Sequence, residues 1–254
     1  MSGMTDLGLP ENILACLFDL DGVVSRTAEV HAAAWKQAFD AFLRERDGAD
    51  FRPFTEADYA EYVDGRPRAD GVRTFLASRG AGLPPGTPDD PSGAATVHGL
   101  ARRKNELFLE RIRGGGVEAY EGTLRYIEAV RAAGLRTAVV SASANCRDVL
   151  RALGAEHLFD ARVDGVVAAE RGLPGKPHPD TFLAAARDLG VPPGRAAVFE
   201  DALAGMDAGR AGRFGYVVGV DRAGRSDALY AHGADRVVTD LAELTGGPRE
   251  PGGR

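Results

Sequence analysis

Ile13-Leu14-Ala15-Cys16-Leu17-Phe18 is an unbroken apolar run, and it ends in Asp19-Leu20-Asp21-Gly22, two carboxylates followed by a glycine. Six apolar residues without a polar interruption suit a strand buried on both faces, as in the interior of a parallel sheet. Four further runs have the same character: Thr137 to Ser141, Ala196 to Phe199, Tyr216 to Val220 and Arg236 to Val238, each followed by a stretch with helical spacing. This alternation predicts an α/β fold, a parallel sheet with helices on both faces. In open parallel sheets ligands bind beyond the carboxyl ends of the strands, so the polar residues directly after these runs are the first candidates for chemistry.

Helical patterns dominate residues 28–117, with no convincing strand among them. Ala28 to Arg46 and Ala94 to Arg113 read as amphipathic helices, while Gly80 to Gly93, rich in Gly, Pro and Asp, reads as a surface loop. The expected organisation is a catalytic α/β core over 11–27 and 118–245, an inserted helical cap over 28–117, and flexible tails over 1–10 and 246–254.

The 254 residues, 44% of them hydrophobic, suffice for a substantial core. A formal net charge of -6 and the lack of a basic patch argue against nucleic acid as a partner. No apolar stretch approaches the ~20 residues of a membrane span, and Met1 to Pro10 does not read as a secretory leader, so a cytoplasmic protein without a membrane partner is expected. Cys16 and Cys146 fit no metal or redox spacing and are expected to be buried thiols.

Four strand-end signals carry the chemistry. With Asp19 and Asp21, one carboxylate can attack while the other handles a proton; read alone, the pair could also be a polar turn. Ser141-Ala142-Ser143-Ala144-Asn145 offers hydroxyls and amides to phosphate oxygens, or simply caps a helix. Lys176, in Gly175-Lys176-Pro177-His178-Pro179-Asp180, could neutralise a carboxylate and a phosphate together, or be a solvated surface charge. Glu200-Asp201 suits a hard cation, or a helix N-terminus. Converged on one sheet edge, the four acids would need a cation, since like charges ~4 Å apart repel by about 4 kcal/mol at an effective dielectric of 20.

At these residues the chain resembles the haloacid dehalogenase superfamily, whose four motifs it matches in order. The resemblance implies a Rossmann-like core, Asp19 as the nucleophile that forms an aspartyl phosphate, Asp21 as acid/base, and Ser141 and Lys176 as further catalytic groups. It also implies Mg²⁺ held by Asp19, the backbone carbonyl of Asp21, and Asp201 with help from Glu200. Dehalogenases of the superfamily lack the second carboxylate, so Asp21 points to its phosphatase and phosphomutase branch.

Thr27-Ala28-Glu29-Val30-His31, Ala34-Trp35-Lys36, Gly65-Arg66-Pro67-Arg68 and Arg103-Lys104-Asn105 are similar to the beta-phosphoglucomutase-like subfamily. There, residues matching Arg68 and Lys104 help bind the sugar phosphate, and those matching His31 and Trp35 belong to the cap near its hinge. Ser143 and Asn145 complete the implied substrate contacts. A mutase must hold the phosphate that is not in transfer, a task for cationic groups, while keeping water from the phosphoenzyme. Taken singly, Trp35 reads as a core aromatic, and Arg68 and Lys104 as solvated helix charges. Arg26 departs from the pattern, since an acidic residue is common at that position.

A monomer is expected, and the resemblance implies that it interconverts beta-glucose 1-phosphate and glucose 6-phosphate, with glucose 1,6-bisphosphate as activating intermediate. A sugar-phosphate phosphatase is the alternative. A phospho-receiver signalling domain also uses strand-end acids and a lysine, but such modules are about half this length, lack a cap, and carry their phosphoaspartate on a middle strand.

Overall fold

The computed structural model describes residues 6–245. Among these, a six-stranded parallel sheet is built from β1 (Ala15–Phe18), β2 (Arg136–Val140), β3 (Ala161–Val163), β4 (Ala196–Glu200), β5 (Tyr216–Val220) and β6 (Arg236–Val238), in the order β3-β2-β1-β4-β5-β6. Every residue of β1 and β4 is buried, which explains why their sequences run apolar without alternation. In register, Phe18 lies beside Val139 on β2 and Phe199 on β4, and the rings of Phe18 and Phe199 stack at 4.5 Å. The ladder continues one step past β1, with the Asp19 N–H donating to the Phe199 carbonyl at 2.9 Å.

By its internal contacts the chain divides into two compact units, Met1–Arg26 with Glu118–Arg254, and Thr27–Val117. The second contains helices α1 (Ala28–Asp47), α2 (Glu56–Tyr62), α3 (Arg68–Ser78) and α4 (Val97–Gly115), and no strand among the described residues. Trp35, Phe39 and Leu43 recur every fourth residue on α1 and face inward with Phe54, Phe75 and Phe108. Phe39 is central to this core, with ring centroids 4.3 Å from Phe75, 4.9 Å from Trp35 and 5.1 Å from Phe54.

Helix α2 begins at a capping box: Thr55 Oγ1 accepts the Asp58 N–H at 3.1 Å and the Asp58 carboxylate accepts the Thr55 N–H at 2.9 Å. Thr55→Ala is expected to cost about 1 kcal/mol, read as a shift of the urea midpoint at constant m-value. Helix α4 starts three residues later than the sequence predicts because Thr96 caps it, accepting the Gly99 N–H at 3.0 Å. The loop before it is tied down: Val97 N–H donates to Pro84 O at 2.9 Å and Arg102 to Pro88 O at 2.8 Å.

The first unit adds α5 (Glu121–Ala132), α6 (Cys146–Ala152), α7 (Gly165–Arg171), α8 (Asp180–Asp188), α9 (Leu203–Ala211) and α10 (Ser226–Ala231). Its core brings Phe182 and Ala185 of α8 and Met206 of α9 against Leu17, Val140 and Val198 of the sheet. The flexible-tail reading of 1–10 is corrected for Leu7 to Pro10: Leu9 is buried, and the Tyr126 hydroxyl donates to the Leu7 carbonyl at 2.9 Å. Residues 1–5, and the tail read over 246–254, lie outside the described residues. Cys16 and Cys146 are both free and buried. Among the described residues, no helix is long and apolar enough to cross a membrane.

Candidate active site

Parallel pairing in register brings the carboxyl ends of β1, β2 and β4 to one edge, and with them Asp19, Ser141, Glu200 and Asp201. Lys176 reaches the same point from the loop before α8. It is 2% exposed, so its reading as a solvated charge is overturned. Its ammonium donates to the carboxylates of Asp19 and Glu200 and, at 3.2 Å, to the Val140 carbonyl. The other Glu200 oxygen accepts the N–H groups of Asp201 and Ala202, each at 3.1 Å. Glu200 thus holds the lysine from a fully buried position.

Asp21 sits in a turn closed by Gly22 N–H donating to Ser25 O at 2.8 Å and Ser25 N–H to Leu20 O at 2.8 Å. Ser141 Oγ donates to Asp21 Oδ2 at 3.3 Å and accepts the Ser143 N–H at 3.0 Å, while Ser143 Oγ accepts the Asn145 N–H at 3.2 Å. These residues form a staircase of hydroxyls leading away from Asp21. Asn145 stands at the N-cap of α6 but makes no capping hydrogen bond with its side chain, so the plain capping reading fails there. Gly22 has φ +89°, and a Cβ on it would lie 1.8 Å from Asp201 Oδ2. Only glycine lets the loop after β1 approach the loop after β4 so closely.

Burial pushes the Asp19 carboxyl well above the ordinary carboxylate range; Glu200 and Asp21 add to this and Lys176 opposes it. Burial would pull the Lys176 ammonium down, yet Asp19 and Glu200 hold it above its ordinary value. Oxygens of Asp19, Glu200 and Asp201, all buried, lie within 4.8 Å of one another. With Asp21 close by, one ammonium does not balance this set. The residues therefore fit a hard divalent cation, which prefers carboxylate oxygens.

The remaining sequence candidates lie in the helical unit. His31 and Lys104 are hydrogen-bonded to each other, and the Lys104 ammonium is 5.1 Å from the ring centroids of both Trp35 and Phe108. Lys104 is buried, contrary to its reading as a solvated charge, whereas Trp35 stacks in the core as its residue type suggests. Arg68 opens α3, half-buried, and burial pulls its pKa down to about 10. It lines a pocket with His98, Arg102 and Asn105. His98 and Arg102 carry no motif and were not legible beforehand; only the predicted helix placed them near Lys104 and Asn105.

Comparison with known proteins agrees with this geometry. The family model for haloacid dehalogenase-like hydrolases matches residues 13–213. Beta-phosphoglucomutase from Mycobacterium bovis is 56% identical over 245 residues, covering 94% of each chain, and the protein of that name from Mycobacterium tuberculosis matches equally. The crystal structure of beta-phosphoglucomutase from Clostridium difficile superposes with a TM-score of 0.69 at 28% identity, over 91% of this chain and 93% of that one. CbbY from Rhodobacter sphaeroides, solved in complex with xylulose 1,5-bisphosphate, superposes with a TM-score of 0.68 at 28% identity, over 91% and 96%. With the Asp19 loop, Lys176 and the paired acids at one sheet edge and these relatives alongside, the chain belongs to the haloacid dehalogenase-like hydrolase family, in its beta-phosphoglucomutase-like subfamily.

Proposed function

We propose that this protein is a Mg²⁺-dependent phosphomutase that interconverts beta-glucose 1-phosphate and glucose 6-phosphate through an aspartyl phosphate on Asp19. The observation that carries the chemistry is the buried Asp19 carboxylate held by Lys176, with Asp21 two residues on and hydrogen-bonded to Ser141. The sugar assignment rests on the 56% identity to beta-phosphoglucomutase.

In the proposed reaction an Asp19 oxygen attacks the 1-phosphorus of glucose 1,6-bisphosphate, the bond from that phosphorus to the sugar oxygen breaks as Asp21 gives its proton to that oxygen, and glucose 6-phosphate leaves phosphorylated Asp19 behind. The ionised Asp21 then takes the proton of the 6-hydroxyl of an incoming beta-glucose 1-phosphate as that oxygen attacks the aspartyl phosphate, which rebuilds glucose 1,6-bisphosphate and frees the Asp19 carboxylate. Glucose 1,6-bisphosphate is the intermediate and, added from outside, the activator. Asp19, the Asp21 carbonyl, Asp201 and Glu200 are proposed to hold Mg²⁺, which offsets phosphate charge when bound. Lys176 counters the charge of Asp19, so that an anionic phosphate can approach a carboxylate. Ser141, Ser143 and Asn145 are assigned to the phosphate in transfer. His31, Trp35, Arg68 and Lys104 are assigned to the sugar and its second phosphate, for which cationic donors are suited.

Phosphorus NMR of the protein with Mg²⁺, beta-glucose 1-phosphate and a trace of the bisphosphate tests the reading. Glucose 6-phosphate should accumulate without stoichiometric inorganic phosphate; release of phosphate alone would establish a phosphatase instead. Independently of turnover, Mg²⁺ at about a hundred times its Kd should add about 2.7 kcal/mol to unfolding in urea. Asp201→Asn should remove most of that gain.

A further inference from the structure

Arg222 follows β5 by two residues, in a turn fixed by Asp221, whose carboxylate accepts the N–H groups of Ala223 at 3.1 Å and Arg225 at 2.9 Å. From this anchored turn its guanidinium, 19% exposed as a side chain, reaches the loop after β1. Nε donates to the Gly22 carbonyl at 3.1 Å, and Nη1 to the Thr239 carbonyl at 2.5 Å. Cζ stands 3.5 Å from the centroid of the Tyr120 ring, against which Arg26 also lies, at 4.4 Å. The acid nearest to it, Asp240, is 3.7 Å away. Beside this ion pair, the planar fork of Arg222 serves two backbone carbonyls and an aromatic face.

The first of these carbonyls belongs to the residue after Asp21. The Tyr120 N–H donates to the Val24 carbonyl at 3.0 Å, and the Arg26 N–H to the Glu118 carbonyl at 2.8 Å. Arg222 therefore touches both the loop that bears Asp21 and the segment on which the chain returns to the core, at the N-cap of α5. The same loop meets Asp201 at the Gly22 Cα, leaving no space for a side chain. Misplacement of a proton-transfer group by about 1 Å is enough to cost about a hundred-fold in rate.

We propose that Arg222 is a positioning residue for proton transfer by Asp21: through the Gly22 carbonyl it fixes the Gly22–Val23 peptide, one residue beyond Asp21, and through Tyr120 it ties that loop to residues 118–120. The role rests on the reading of Asp21 as acid/base. It also accounts for Arg26, the departure from the family pattern, whose guanidinium completes the contacts on the Tyr120 ring.

The test compares two phosphoryl donors in single-turnover phosphorylation of Asp19, followed by rapid quench and intact mass. Glucose 1,6-bisphosphate leaves as a sugar oxygen that needs a proton, whereas acetyl phosphate leaves as acetate, which needs none. Arg222→Ala is expected to slow transfer from the bisphosphate about a hundred-fold and to leave transfer from acetyl phosphate within about two-fold. Arg222→Lys keeps the charge but cannot hold two carbonyls and the ring together, and should recover only part of the loss. Hydrogen exchange in the peptide over residues 20–26 should quicken in both variants. Equal losses on both donors, or unchanged exchange over 20–26 in Arg222→Lys, would overturn the proposal. Wild-type protein idle on both donors would instead overturn the proposed phosphoryl transfer to Asp19, on which any role of Asp21 depends, while the exchange comparison still decides whether the clamp exists.

Discussion

Asp19→Asn should lower turnover of beta-glucose 1-phosphate by at least ~10⁴-fold while leaving the fold intact. Removal of a covalent nucleophile costs on this scale or more, because no other group at the site offers a competing route. An amide is a poor nucleophile and lacks the negative charge that binds a cation. Asparagine matches the volume, and the backbone bond from residue 19 to Phe199 O at 2.9 Å does not involve the side chain. Burial already disfavours the ionised form of Asp19. The variant should therefore unfold in urea, in the presence of EDTA, at the wild-type midpoint or above it. Turnover within a hundred-fold of wild type would remove Asp19 from its assigned role.

Lys176→Met should cost about 3–5 kcal/mol of stability in EDTA, the range for removing one member of a buried ion pair. Methionine nearly fills the space of the aliphatic stem, so most of the loss is electrostatic rather than a cavity. Glu200 is fully buried, and one of its oxygens relies on the ammonium. Without Lys176, the acids at the ends of β1 and β4, whose oxygens lie within 4.8 Å of one another, lose the ammonium shared by Asp19 and Glu200. Added Mg²⁺ should then restore more stability to the variant than it adds to wild type. Urea curves in both conditions measure this, and a loss below about 1 kcal/mol in EDTA would show that the buried acids do not depend on the Lys176 ammonium.

The sheet was legible because its strands are Val-, Ala- and Phe-rich runs whose burial on both faces removes the need for alternation; β1, β2, β4, β5 and β6 lie within two residues of the predicted runs. Strand β3 escaped notice for a physical reason: it is three residues long, half-exposed for two of them, and carries Arg162, which pairs with Asp164 at 2.8 Å. Such a segment has neither period nor composition to mark it. The site residues were legible as types, but their environments were not. Lys176 is buried only because Asp19 and Glu200, 157 and 24 residues away in sequence, meet it. Likewise Ser141 reads as a cap until Asp21, 120 residues away, becomes its partner. Residue-type tendencies describe the average surroundings of a lysine or serine; a convergent site is where that average fails. Arg222 has no motif at all, since its partners are backbone carbonyls that any sequence would present.

The chain leaves the core at Arg26 and comes back at Glu118, and those two residues share a 2.8 Å backbone hydrogen bond beside the Ser25–Ala119 bridge. Ninety-one residues, Thr27–Val117, thus interrupt the core at what is in space a single stitch. Evolution could exchange the helical cassette, or trim it to a turn, without moving a strand or a carboxylate of the sheet, so new sugars could be tried against an unchanged phosphoryl-transfer engine.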